Sequence, residues 1–357
     1  MRTLLRWGLA GALLLLTPSA ALAAKAPPKA TPTARPKASP KPSPTAPAAT
    51  SRVTGHIAYV GANGNIFVAR PDGTDKRALT NNGTTDPSYN APLLSSKGGD
   101  ILAVRFATGL GAFKGSDTAG LWLVPSSGSV RRLTTDVPRG YAWTPDGASI
   151  VYEEGYLSET SLNVLDPRTG HKRTLPCDPA FRLIGLTSIG NRAIGVQGND
   201  VVAESLADGT TQGLTGYGAK PGVWQGLAAL DPSGGTILYA ESPGTTLVSI
   251  DLRTRRIART AVGGSLTAIA PASSTVYAYA SVGLGGAAAP SVAVVNGKSG
   301  AGLRAGVSFT PHAFAPNGAA LAYTSGGSLP YVFVAPAACP VTCATRLDFG
   351  RDASWGP

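Results

Sequence analysis

The sequence predicts an all-β protein built from one hairpin-centred unit used seven times, and three observations carry that prediction. The first is the stretch Tyr141 to Tyr152, Tyr-Ala-Trp-Thr-Pro-Asp-Gly-Ala-Ser-Ile-Val-Tyr: a short aromatic strand, a Pro-Asp-Gly turn and a second, apolar strand. Asp-Gly between aromatic and β-branched runs signals a hairpin, because a tight turn needs residues that tolerate positive φ. The second is recurrence, since strands like Ile150 to Glu154 start again every 39 to 49 residues, near the ~40 to 45 of one four-stranded propeller blade. The third is composition: only 14% of residues are charged, against 45 Gly and 29 Pro, which suits a turn-rich β chain. The expected architecture is a seven-bladed β-propeller, with six blades as the alternative. An irregular β-sandwich competes, but gives no reason for a sustained period.

In order, the second strands of the units are Ile57 to Val60, Ile101 to Phe106, Ile150 to Glu154, Arg192 to Val196, Thr236 to Glu241, Thr275 to Ala280 and Ala320 to Ser325. Third strands follow at Asn65 to Arg70, Leu121 to Pro125, Ser161 to Asp166, Asp200 to Ser205, Thr246 to Asp251, Ser291 to Asn296 and Tyr331 to Pro336. Turn residues such as Pro71-Asp72-Gly73 and Ala207-Asp208-Gly209 introduce fourth strands, several ending in Leu-Thr, as in Lys76 to Thr80, Val130 to Thr134 and Gln212 to Thr215. First strands are Asp86 to Leu94, Tyr141 to Pro145, Arg182 to Ser188, Val223 to Leu230, Ser265 to Pro271, His312 to Pro316 and Ala353 to Pro357. The last of these would complete the first blade and close the ring, removing an open edge. In the seventh unit a longer segment with Cys339 and Cys343 replaces the turn.

The N-terminus is a different kind of sequence. Arg2 and Arg6 precede an apolar run through Leu16 and the small-residue site Ala21-Leu22-Ala23, the layout of a secretory signal peptide, residues 1–23. A retained anchor is the alternative; the run is shorter than the ~20 apolar residues of a span. Residues 24–52 form a Pro-rich basic linker, with eight prolines, six Lys or Arg and no acid in residues 25–52, expected to be disordered. Residues 1–52 hold eight of the 31 basic residues, so residues 53–357, the propeller, carry 23 basic against 20 acidic residues, or +3. The overall +11 therefore does not point to nucleic acid. Cys339-Pro-Val-Thr-Cys343 is a local pair compatible with a disulfide in an exported chain, and Cys177 is left as a buried thiol.

Two stretches carry a family resemblance. Arg70-Pro71-Asp72-Gly73 runs on to Arg77-Ala78-Leu79-Thr80 and Asp86-Pro87-Ser88-Tyr89, and Trp143-Thr144-Pro145-Asp146-Gly147 opens the third unit. Together they resemble the repeats of TolB-type, WD-like β-propellers, with weaker echoes at Asp231-Pro232-Ser233-Gly234 and Phe314-Ala315-Pro316-Asn317-Gly318. The resemblance implies a propeller over residues 55–357 and an envelope compartment. TolB-type proteins place an α/β domain before six blades, whereas a Pro-rich linker stands here before seven units.

Catalytic signatures are sparse. His56, His171 and His312 stand alone, with no His-x-x-x-His, no Gly-x-Ser-x-Gly elbow and no phosphate loop. Glu153, Glu154 and Glu159 form an acidic cluster that reads as a solvated loop face, or as a cation or acid–base site. The best surface is the channel mouth, where first strands converge; Tyr89, Tyr141, Trp143, Arg182, Trp224, His312 and Trp355 are its candidates. No metal or other cofactor is expected, apart from a Ca ion in the channel as an option. The function read from these features is an exported, non-catalytic, monomeric scaffold, periplasmic, cell-surface or extracellular, binding an envelope protein or an anionic cell-wall polymer. The alternative is a propeller enzyme, a metal-assisted lyase or hydrolase.

Overall fold

A computed structural model describes residues 53–107, 118–155, 160–214, 223–262, 264–273, 275–282, 291–296, 309–325, 330–337 and 343–357. All of these belong to the compact unit 49–357. The expected signal peptide, the linker, Thr215, Glu159 and Cys339 lie outside the described residues, the last with its expected pairing to Cys343.

Every regular element among the described residues is a β-strand. Four consecutive groups of strands form four-stranded antiparallel sheets over residues 88–132, 141–176, 181–213 and 223–261, and a three-stranded sheet spans 265–296. The remaining strands make one seven-stranded sheet, in the order Phe309–Phe314, Ala320–Ser325, Tyr331–Pro336, Thr345–Gly356, His56–Gly61, Ile66–Ala69, Arg77–Ala78. Its middle strand differs from expectation. Thr345–Gly356 begins as a partner of Tyr331–Pro336, with Tyr331 opposite Phe349, and continues as a partner of His56–Gly61, with Ile57 opposite Trp355. The seventh unit therefore has a fourth strand after its long turn, and that strand runs on without a break into the Ala353 to Pro357 segment. The partner changes between Phe349 and Gly350, which lies opposite Gly61, and Asp352, in the left-handed region at φ 48°, sits at the register shift between the Arg351–Val60 and Ser354–Ala58 pairs.

Period-2 alternation explains how the sheets pack. Ile101 and Ala103 pack with Ala58, Val60 and Tyr89, whereas Leu102 and Val104 on the other face pack with Trp143, Ile150 and Tyr152. The division repeats in Thr236–Glu241: Ile237 and Tyr239 join Ile194 and Val201, and Leu238 and Ala240 join Leu266 and Tyr277. Second strands are thus buried on both faces, while fourth strands such as Ile257–Ala261 are exposed throughout. Ile57 and Tyr59 pack with Ala320, Ala322 and Trp355, while Ala58 and Val60 face the next sheet.

The recurrent Leu-Thr ending has a specific cause. Thr80 and Thr134 are buried, and each hydroxyl accepts a hydrogen bond from the first residues of its third strand, Ile66 N and Leu121 N, both at 2.9 Å. Neither amide has a ladder partner at that point, so the side chain stands in for a strand. In the Pro-Asp-Gly turn, Gly147 takes φ +64° and donates to Thr144 O at 2.8 Å. The Asp146 carboxylate accepts from the Thr144 hydroxyl at 2.6 Å and from Ala148 N at 3.0 Å, and these bonds hold it below the usual carboxylate range.

Candidate functional site

The first strands have a free edge, and its polar groups must be satisfied. Ser88–Leu94 carries a bulge between Asn90 and Leu93, with Ala91 at φ 45°. Side chains from both neighbouring strands cover this edge. The Tyr141 hydroxyl donates to Ala91 O, and the Trp143 indole donates to Leu93 O at 3.2 Å. From the other side Asp352 accepts from Ala91 N at 3.3 Å and Ser354 from Leu94 N at 3.2 Å. Tyr141 and Trp143, two residues apart on one strand face, meet carbonyls two residues apart, whereas Asp352 and Ser354 accept from amides three residues apart, a spacing that the bulge produces.

Beyond this edge the ends of the first strands and their turns enclose a half-open cavity of about 450 Å³. Its wall comes from residues 93–96, 141–143, 145, 184–186, 188, 230–234, 316 and 355–357, and includes Pro145, Pro232, Pro316 and Pro357. Among the described residues, no Lys, Arg or His side chain lines it. Its acidic side chain, Asp231, accepts from Ser233 Oγ, Gly235 N and Thr236 N at 2.8 to 3.0 Å. Ser96 Oγ donates to Pro145 O at 2.7 Å. The wall's polar groups thus largely bond one another, and Ile189, next to Ser188 of the rim, is 78% exposed.

Three of the residues expected at the mouth meet in this wall: Tyr141, Trp143 and Trp355. Both tryptophans are largely buried, and the Trp355 indole donates to Thr54 O at 3.2 Å, so each offers the cavity little surface. Burial pushes the Tyr141 phenol up. Tyr89 lies elsewhere, fully buried between sheets, its hydroxyl donating to Asn82 at 3.0 Å and its ring 5.2 Å from the Arg105 guanidinium. Arg182 is exposed and outside the wall. His312 is half-buried on Phe309–Phe314, its Nε2 2.9 Å from Thr324 Oγ1; burial lowers its pKa, and Asp352 opposes that shift. Trp224 lies on Val223–Leu230, with its side chain outside the described residues.

The acidic cluster departs from the solvated face expected of it. Glu153 is 1% exposed, accepting from Leu183 N at 3.0 Å and from Arg139 at 3.3 Å. Burial raises its pKa against those partners. Glu154 is a separate surface pair with Lys172 at 3.0 Å. Arg139 also donates to Phe181 O and Thr160 Oγ1 at 3.0 and 3.1 Å, tying one sheet to the next. Glu204, which no motif singles out, is 1% exposed with both carboxylate oxygens unpartnered. Cys177 is the free cysteine and is half-buried. Among the described residues no group of three or more His, Cys, Asp or Glu side chains converges as a metal ion would require, and no helix is long and apolar enough to cross a membrane.

No family model matches the sequence, and no curated protein matches it. The fold has relatives among solved structures. TolB from Acinetobacter baumannii is 15% identical, with a TM-score of 0.53 over 85% of this chain and 67% of that one. A structure described as one of two prolyl endopeptidases is 13% identical, with a TM-score of 0.59 over 85% of this chain; this chain spans 49% of its length. A protein described as a putative 6-phosphogluconolactonase from Bacteroides uniformis is 10% identical, with a TM-score of 0.52 over 85% of this chain and all of its own. At these identities the likeness concerns fold alone, and the fold is a β-propeller like that of TolB. The named relatives differ in their described activities, so the fold by itself selects none.

Proposed function

We propose that this chain is an exported, non-catalytic, seven-bladed propeller, its first blade completed by the C-terminal strand, that binds an envelope protein through the axial mouth. The observation carrying the binding role is the wall itself: apolar, rimmed by prolines and Ile189, with its polar groups largely bonded within the wall. Such a surface suits an inserted apolar loop of a protein. An anionic polymer would need cations, and the described wall carries none. Export rests on the signal-like residues 1–23, and a Cys339–Cys343 bridge would be in keeping with it.

The test is capture of partners from envelope extract by the full chain, set beside a variant carrying Ile189→Glu and Pro232→Arg at exposed rim positions. Specific partners retained by the wild type and lost from the variant, with unchanged folding, are expected. Equal retention by both would show that the mouth is not the binding surface. Stoichiometric Ca or a transition metal in purified protein would instead favour the enzyme reading.

A further inference from the structure

Glu204 lies where sheets 141–176 and 181–213 pack. Val202, two residues before it on the same face of Asp200–Ser205, belongs to the cluster of Leu162, Leu175 and Phe181, against which Cys177 also packs. The alternation directs Glu204 into the same interface. A buried ionised carboxylate is normally paired or hydrogen-bonded, because desolvation of the charge is otherwise uncompensated. Glu204 has neither kind of partner.

Its charged surroundings make ionisation worse. Asp178, on the 177–180 link between the two sheets, and Glu153, from the second strand of the preceding sheet, both act on Glu204 as like charges. Cys177 stands in the same field, its thiol pushed up to about 12 by burial first and then by Glu204 and Glu153. Of the nearby cations, Arg182 is exposed and acts on Glu153, and two others are bonded elsewhere. Arg139 is bonded to Glu153, Thr160, Pro179 O and Phe181 O, and Arg173 donates to Leu206 O and Ala207 O.

We infer that the joint between these two sheets is proton-gated: Glu204 is seated there as the neutral acid, and its ionisation loosens the 177–180 link from the interface. The link is the moving part: it is short, exposed from Asp178 to Ala180, and bonded to its surroundings through Arg139 and Thr160 at Pro179 O and through Phe181 N at Asp178 O. Burial, then Asp178 and Glu153, raise the Glu204 pKa from 4.5 to about 7. The sign follows from linkage. A carboxyl raised on folding contributes its full stabilisation below its ordinary range; the contribution falls as pH rises and levels off above the folded value. The responsive window is therefore pH 5 to 7.

Hydrogen exchange of the full chain, corrected for the intrinsic pH dependence of exchange, tests this. Amides of Lys172–Pro176 and Phe181–Leu186 are expected to lose protection on the order of thirty-fold between pH 5 and 7. Glu204→Gln, which mimics the neutral acid, should hold their protection within about two-fold over that range. Amides of Thr236–Asp251, remote from the cluster, serve as the internal reference. A wild type whose two regions respond alike, or a Gln variant that follows the wild type, would overturn the inference. If the Gln variant does not fold, the comparison of regions within the wild type decides alone.

Discussion

Trp143 donates its indole hydrogen to the carbonyl of Leu93, 3.2 Å away on the free edge of the neighbouring sheet. Tyr141, two residues earlier, does the same for Ala91 O. This pair accounts for aromatics at alternate positions of a first strand. They fill the gap between sheets and complete the backbone hydrogen bonding of a bulged edge, which a purely aliphatic pair could not do.

Trp143→Phe keeps most of the ring volume and removes the donor. The expected loss is about 1 to 2 kcal/mol, the cost of one under-satisfied, largely buried carbonyl. Tyr141→Phe should cost less, because Ala91 is exposed and water can satisfy its carbonyl. The two should couple in a double-mutant cycle, because they brace adjacent groups of one bulge. Urea unfolding of the four proteins measures it. Losses near zero for both singles would mean water satisfies these carbonyls equally well.

Removing Ala353 to Pro357 takes away the residues opposite His56 to Ala58 and the side chain of Trp355, which is buried with Ile57 and Tyr59. A Trp removed from a core costs roughly 3 to 5 kcal/mol before the lost strand pairing is counted. A melting temperature lower by on the order of 10 °C, with increased aggregation, is expected. An unchanged melting temperature and solubility would exclude a structural role for this pairing.

The Leu-Thr endings can be tested one hydroxyl at a time. Thr80→Val and Thr134→Val preserve shape but leave Ile66 N and Leu121 N without their acceptors. Each should destabilise by about 1 to 3 kcal/mol in chemical denaturation, with Thr→Ser milder. Thr80 also donates to Asn65 at 3.0 Å, and Asn65 in turn binds Gly83 N at 2.7 Å, so the loop after Thr80 should loosen as well. Equal stability of the Val and Thr proteins would remove hydrogen bonding as the reason for the motif.

The repeating hairpins, their turn residues and the double-sided burial of second strands are legible in the sequence because each depends on local chemistry. Alternation over five or six residues, Asp-Gly at a positive φ and β-branched runs need no knowledge of what lies across the interface. That Trp143 shares a strand face with Tyr141 also follows from alternation alone. The carbonyl partner of Trp143 is not legible, because that partner belongs to a strand 50 residues away in sequence.

The fourth strand of the seventh unit was hidden for a related reason. Thr-Arg-Leu-Asp-Phe at residues 345–349 mixes charges with apolar residues, and only pairing with Tyr331–Pro336 selects it as a strand. The fates of Glu153 and Glu204 show the same limit more sharply. In the sequence both are acids near strand ends, and the ordinary expectation for an acid is solvent. Tertiary packing buries both, giving one an arginine and the other no partner at all. By itself, then, the sequence determined the repeat and its β character, which short-range sterics and periodicity dictate. Only the folded arrangement decided which aromatic residues line the mouth and which carboxylate lies unpaired between two sheets, because desolvation and hydrogen-bond satisfaction depend on neighbours brought in from distant parts of the chain.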